Sequence, residues 1–359
     1  MRVCLVGFAG LRYIPYISSY ATALERMGVS YDLVYWDRLG DEPPQASQNH
    51  HVFRTRLSHR ASSPVRMLRM LQFASFAARH LRKERYDRVF VLTSIPSILL
   101  SRVLRRNYSR RYAIDVRDYS YEHFSWYYRA LDKVMHGAAF VVISSPGFKS
   151  FLPPHGDLVV CHNVSSNLLQ QKTALRQRER VRPVIRISYA GYLGNFENNV
   201  QLLNHVGNHP RFHIHYAGEG PGSRAIQGYC AEKGFANVSF SPRFSPEDAA
   251  AIYQQTDMVY NLYGSNIRVA RALSNKLYAA AICAIPILVT PGSFMDEIST
   301  AHKFGCPVNL NAPNLADHLS AWYDAVNWES LEKGCDALLD SAARDNAIFE
   351  SRVRNFVLG

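Results

Sequence analysis

MRVCLVGFAGLRYIPYISSYATALERMGVSYDLVYW, residues 1–36, starts with an apolar run at 3–8 and passes through GLRYIP. It then takes up apolar spacing suited to a helix over 16–27. Gly28 follows that helix, and a second apolar run covers 31–36. Strand, loop, helix and strand in this order form a βαβ opening, which joins parallel strands through a covering helix. The run at 3–9 is preceded by one Arg and lacks a small-residue cleavage pattern, so a buried first strand is expected there and not a secretory leader.

The alternation continues outward. Residues 64–83 read as a long amphipathic helix, with Val65, Leu68, Leu71, Phe76 and Leu81 on or near one face. Arg66, Arg69, Arg79, Arg82 and Lys83 fall elsewhere on it. Strands are expected at 88–92, 112–116, 140–143 and 159–161, with helices after 94–96 and after Tyr119. DEPPQAS at 41–47 is a breaker-rich loop. Residues 167–183 are polar, rich in Gln and Arg and without apolar periodicity, which reads as a linker. Beyond them strands are expected at 185–190, 212–217, 238–240, 258–262 and 285–289, with helices at 316–327 and 330–356. The fold class is therefore α/β: two Rossmann-like, doubly wound domains facing each other across a cleft. Their expected bounds are 1–166 and 184–335, with 336–359 a terminal helix packing back on the first domain.

Hydrophobic residues make up 47% of the 359, enough for two cores, and no apolar run approaches the length of a spanning helix. Six cysteines without CxxC or Cys/His spacing argue for a reducing compartment and against a zinc site, so a cytoplasmic protein is expected. The formal charge of +12 is uneven: residues 1–170 hold 23 Lys/Arg against 12 Asp/Glu, a surplus of +11. Such a field attracts polyanions, whether nucleic acid, an anionic membrane or a phosphorylated substrate. No recognition helix, RNP-like strand or zinc finger is legible, which disfavours nucleic acid. A dehydrogenase is disfavoured too, because GFAGLR after the first strand has the wrong spacing for a dinucleotide fingerprint.

The chemistry is read from LSNKLYAAAICAIPILV, residues 273–289. Ser274 is an N-cap candidate, Asn275 and Lys276 open an Ala-rich helix, and Pro286 stops it. A helix N-terminus with open amides and an adjacent Lys suits a diphosphate, and Arg268 and Arg271 ahead of it supply forked donors. A buried helix with solvated basic residues ahead of it is the plainer alternative. SYAGYLGNFENN (188–199) and YAGEGPG (216–222) are Gly-rich turns at strand carboxyl ends, where Gly191 and Gly194 let amides approach a ligand. Together the three segments outline a nucleotide-diphosphate pocket.

In this order the segments resemble glycosyltransferase family 4 of the two-Rossmann-domain (GT-B) type, particularly members of bacterial polysaccharide assembly. The residues that carry the likeness are YAGYLGNFENN, YAGEGPG, FSPEDAAAIYQQTDMVYNLY (244–263) and NIRVARALSNKLYAAAICAIPILVT (266–290). AIDVRDYSYE (113–122) and ISSPGFKSFL (143–152) add to it in the first half. The resemblance implies a nucleotide-diphosphate sugar as donor, retention of anomeric configuration, and Arg268 and Lys276 on the donor diphosphate. It places Gly191 beside the reacting sugar and the 216–222 turn beside the base. The donor set is then Gly191, Tyr192, Gly218, Glu219, Gly220, Arg268, Arg271, Ser274, Asn275, Lys276 and Tyr278. One departure stands out: where the family carries a ribose-binding Glu, three residues after the Lys, this chain has Ala279. The family's basic residue after the Gly191 loop is also replaced, by the stretch 195–199. Ala279 motivates a second reading, a noncatalytic nucleotide-sugar-binding partner subunit.

No D-x-D pair occurs, so no metal and no other cofactor is expected; Arg, Lys and helix amides would neutralise the leaving diphosphate. Asp118 is expected to orient or deprotonate an acceptor hydroxyl, with His123 as its rival. An ion pair of Arg117 with a neighbouring Asp is the competing structural use of that loop. Gly10, Arg12, Arg117 and Asp118 are the acceptor-side candidates. The resemblance assigns the basic first half to the acceptor, expected as a glycan or a polyprenyl-diphosphate-linked glycan on the inner face of an anionic membrane.

Overall fold

A computed structural model describes residues 1–40, 49–58, 61–263 and 267–359, the side chains at 267 and 268 excepted. The loop read at 41–47 lies outside the described residues. The chain divides into two compact units, Met1–His162 with Arg344–Gly359, and Asn163–Ala343.

The first unit runs β1 (Val3–Val6), α1 (Ile17–Arg26), β2 (Tyr31–Asp37), β3 (His50–Arg54), α2 (Ser63–Glu84), β4 (Arg88–Leu92), α3 (Ser94–Leu99), α4 (Ser101–Asn107), β5 (Tyr112–Val116), α5 (Ser125–His136), β6 (Val141–Ile143) and β7 (Leu158–Val160). Its strands form one parallel sheet in the order β3-β2-β1-β4-β5-β6-β7. VCLV of β1 is wholly buried, as expected of a strand covered by helices on both faces.

The second unit runs α6 (Ser166–Gln170), α7 (Lys172–Arg176), β8 (Ile185–Ala190), α8 (Phe196–Val206), β9 (Phe212–Ala217), α9 (Ser223–Lys233), β10 (Val238–Ser241), α10 (Ala249–Gln254), β11 (Met258–Asn261), α11 (Ile267–Ala270), α12 (Asn275–Cys283), β12 (Ile287–Val289), α13 (Phe294–Ala301), β13 (Gly305–Pro307) and α14 (Leu315–Asp324). Its sheet, β10-β9-β8-β11-β12-β13, is again parallel. In both sheets the winding reverses beside the first strand, between β1 and β4 and between β8 and β11. That reversal opens a crevice at the strands' carboxyl ends. Two doubly wound α/β domains are thus present.

Three expectations change. In α2 the buried residues are Phe73, Ala74, Ala77 and Leu81, while Val65, Leu68 and Leu71 are 44%, 54% and 51% exposed. Extended backward at helical spacing, the 73–77–81 stripe meets Arg69 and Arg66, so the earlier apolar residues form a separate, solvent-facing stripe. Residues 167–183 are not a bare linker. Leu168 and Leu175 of α6 and α7 are buried in the second core. Arg176 donates to the carbonyls of Ala281 and Ile282, and Arg180 to that of Ala284. The arginines that made the tract look solvated satisfy the carboxyl end of α12 and oppose its negative pole. Finally, the terminal helix α15 (Trp328–Leu358) does not pack on the first unit alone. Leu331, Cys335 and Leu338 enter the second core, whereas Phe349, Val353 and Phe356 enter the first.

Candidate donor-diphosphate site

β8 ends at Ala190, and the chain turns sharply at Gly191, whose φ is +130°. β9 ends in the same way at Gly218, φ +130°. The two turns interlock: a Cβ on Gly218 would lie 2.0 Å from the Gly191 carbonyl oxygen. Only glycine suits that conformation and that proximity. Gly191 N–H donates to Ala217, Leu193 N–H to the carbonyl of Glu219, and Gly222 N–H to Leu193. The Glu219 side chain is exposed, and Gly220 lies partly exposed beside it.

Lys276, in the first turn of α12, reaches this junction. Its Nζ lies 3.7 Å from where a Gly191 Cβ would stand, 4.4 Å from the ring centroid of Tyr189 and 3.4 Å from the Tyr263 hydroxyl. Tyr189 is the last residue but one of β8 and Tyr263 follows β11, so the two strands beside the reversal hold the ammonium between aromatic faces. Burial disfavours the Lys276 charge, but coupling to Tyr263, Tyr189 and Tyr253 outweighs it and lifts the pKa above the ordinary lysine value.

Ser274 has N-cap geometry but does not cap its own helix; its hydroxyl donates instead to Asn261 Oδ1 at 3.1 Å. The amides of Asn275 and Lys276 have no hydrogen-bond partner among the described residues. Two open amides, the positive end of the helix dipole and the ammonium therefore meet at the carboxyl ends of β8 and β11. An anion with several oxygens suits this arrangement.

The other candidates fall as follows. Asn275 is exposed, and its Oδ1 accepts from Asn163. Tyr192 is 66% exposed, and its carbonyl accepts from Tyr189. Arg271 is exposed; Arg268 belongs to α11, but its side chain lies outside the described residues. Tyr278 departs from expectation: at 1% exposure it is enclosed in the second core, with no side-chain surface for a donor. Ala279 is likewise buried. Tyr189, Tyr263 and Asn261 were not read as site residues, although each sits at a strand's carboxyl end where the fold rule directs attention.

In the first unit, Arg117 is also a correction. It is buried, forks onto Asp115 at 2.7 Å, donates to the Cys161 carbonyl and lies over Tyr16. Tyr20 donates to the same Asp115 at 2.6 Å. Arg117 thus fixes the loop after β5 and is spent on that, not on an acceptor. Asp118 beyond it is exposed. His123 is exposed and lies against Tyr119 and Phe124. No hydrogen bond among the described residues joins Asp118 to His123. Gly10 is buried ahead of a short 3-10 turn that exposes Arg12. Glu122, overlooked in the sequence, is 6% exposed, accepts the Ser120 amide, and is pushed upward in pKa by burial.

No protein-family model and no curated protein sequence matches the chain. Its fold matches sucrose-phosphate synthase from Thermosynechococcus elongatus (TM-score 0.71, 13% identity, 99% of both chains covered). It is also similar to HepE from Anabaena in complex with UDP (TM-score 0.70, 13% identity, 99% of this chain and 100% of that one). The apo lipopolysaccharide outer core galactosyltransferase WaaB matches at TM-score 0.64 and 13% identity, with 99% and 100% covered. At such identities the likeness is one of fold, and the fold is the two-Rossmann-domain, GT-B type of these glycosyltransferase structures.

Proposed function

We propose that the protein is a glycosyltransferase that takes a sugar from a nucleotide-diphosphate donor held by the second unit. The observation that carries this reading is the Lys276 ammonium, fixed by Tyr189 and Tyr263 against the Gly191 turn beside two open helix amides. Departure of a nucleoside diphosphate builds negative charge on its oxygens. A cation and N–H groups set in place beforehand favour that charge without reorganising. The UDP complex of the similarly folded HepE supports a nucleotide at such a fold.

The finer reading is that of glycosyltransferase family 4: a retaining, metal-independent transfer in cell-surface polysaccharide assembly. Asp118 is our candidate to orient the acceptor hydroxyl, with His123 as rival. The acceptor is assigned to the first unit as a glycan or polyprenyl-diphosphate-linked glycan at the inner face of the cell membrane. Exposed Val65, Met67, Leu68 and Leu71, interleaved with Arg66 and Arg69 on α2, support contact with an anionic headgroup layer. Among the described residues no helix is long and apolar enough to cross a membrane. Co-sedimentation with vesicles should require anionic lipid and weaken with salt; equal binding to neutral vesicles refutes that part.

Ala279 favours a second reading, a noncatalytic partner subunit that binds nucleotide-sugars. Incubation with a panel of nucleotide-sugars separates the two. Release of nucleoside diphosphate, increased by a lipid-linked or free glycan acceptor, is expected of the enzyme. Binding of one donor without turnover on any acceptor supports the partner.

A further inference from the structure

Far from any motif, three metal-ligand side chains meet in the first unit. Register pairs Val34 of β2 with His51 of β3, so Asp32, two residues before Val34, projects from the same sheet face as His51. α2 covers that face. Its Phe73 stacks on Trp36 at 5.9 Å, and Ala77 is fully buried. Close to one turn further along, His80 faces the imidazole of His51, the ring centroids 3.9 Å apart. One ligand atom from each of Asp32, His51 and His80 lies within 4.8 Å of the other two.

We propose that Asp32, His51 and His80 hold a divalent transition-metal ion of the zinc class, as a clamp that ties α2 to β2 and β3. Two imidazoles and one carboxylate are a donor set that zinc prefers. Bonds of about 2.0–2.1 Å in a tetrahedral site place neighbouring donor atoms about 3.3 Å apart. His51 Nε2 and Asp32 Oδ2 already lie 3.4 Å apart. The remaining donors close to that spacing by a side-chain shift of about 1.5 Å or less.

The surroundings resemble the outer support that metal sites carry. The Tyr86 hydroxyl donates to Asp32 and lies 2.7 Å from His80 Nε2, so it links the two side chains and would give up that place to an ion held between them. Arg2 donates to Asp32 at 2.9 Å and to Glu84 at 3.1 Å. Arg2 is thus shared between Asp32 and Glu84, and it orients the Asp32 carboxylate from outside the three-residue cluster. The ion's role is structural: the site is in the first unit, whereas Lys276 and Gly191 belong to the second, so the proposal stands apart from the transferase reading. The sequence hides the site because positions 32, 51 and 80 share no spacing motif; strand register and helix packing bring them together.

The test uses tag-free, full-length protein freed of metal with a chelator. Calorimetry with Zn2+ should give one ion per chain and a melting temperature raised by about 5 °C at saturation. Co2+ should give the visible absorption of a tetrahedral site. His51→Gln and His80→Gln should keep the far-UV spectrum of the wild type, yet weaken the ion by at least about 100-fold and lose the Co2+ bands. Should either variant fail to fold, an anomalous difference map of wild-type crystals grown with Zn2+ decides, by a peak among the three side chains. Absence of stoichiometric binding in the wild type overturns the proposal. So does a peak elsewhere, or a His51→Gln/His80→Gln double variant that binds as the wild type does.

Discussion

Lys276 owes its position to two tyrosines that differ in what they give. Tyr189 offers a ring face, and Tyr263 a hydroxyl as well as a face. Removing the ammonium by Lys276→Ala should weaken a bound nucleoside diphosphate by one charge-assisted contact, about 1.5–3 kcal/mol, while leaving the fold intact. Gly218 makes the opposite kind of prediction. At φ +130°, with the Gly191 carbonyl 2.0 Å from a would-be Cβ, Gly218→Ala must displace one turn from the other. A stability loss of about 1–3 kcal/mol or more in denaturant unfolding is expected, together with loss of nucleotide binding. Both positions stood out in the sequence, a glycine just after a strand and a lysine opening a helix, although a tight turn and a solvated lysine fit that pattern as well. Arg117 was not. A charge near a strand end looks the same whether it meets a ligand or a buried Asp115, and only the fold tells which.

Among the elements, α15 carries the clearest energetic consequence. Phe356 packs edge-on against Phe90 and Phe140 and is 7% exposed. Phe356→Ala should cost about 3–5 kcal/mol of first-unit stability, read from the urea midpoint. A helix at 330–356 was legible from its periodicity, but its service to both cores was not, since apolar spacing does not say which core a stripe enters. The strands β1, β4, β5, β8 and β9 were plain because a buried parallel strand is an unbroken apolar run. β3, HHVFR, and β13, GCP, were not seen: each is an outer strand, short, and with polar or turn-forming residues. The tract 167–183 misled for a physical reason, since arginines that satisfy helix-terminal carbonyls look in a sequence like arginines in water.

At the scale of the whole molecule, charge and protonation bear on stability. Burial lowers the pKa of His162 even though Asp345 holds its Nε2 at 2.8 Å and pulls the other way; Arg117 adds to the lowering. In the unfolded chain the same imidazole titrates near about 6.5, so the unfolded state binds more protons below that value. The His162 contribution is complete above pH ~6.5 and is lost as the pH falls through it towards the lower folded-state value. Melting temperatures should fall between pH 7 and pH 5, and less steeply in His162→Gln. The two-unit α/β architecture followed from the sequence, because alternating apolar strands and helices admit few other folds. The sugar, base and acceptor that the proposed transfer would use did not, since such choices depend on side-chain surfaces that strand and helix periodicity do not encode.

On the proposed function, the turn at Gly191 and the opening of α12 receive a pyrophosphoryl group. Isothermal titration of the wild type and of Lys276→Ala with UDP and the other nucleoside diphosphates tests it most directly. One nucleotide should bind the wild type with a stoichiometry of one, and Lys276→Ala should bind it about 10- to 150-fold more weakly. Absence of binding by every nucleoside diphosphate at millimolar concentration, or an affinity unchanged in Lys276→Ala, contradicts the account.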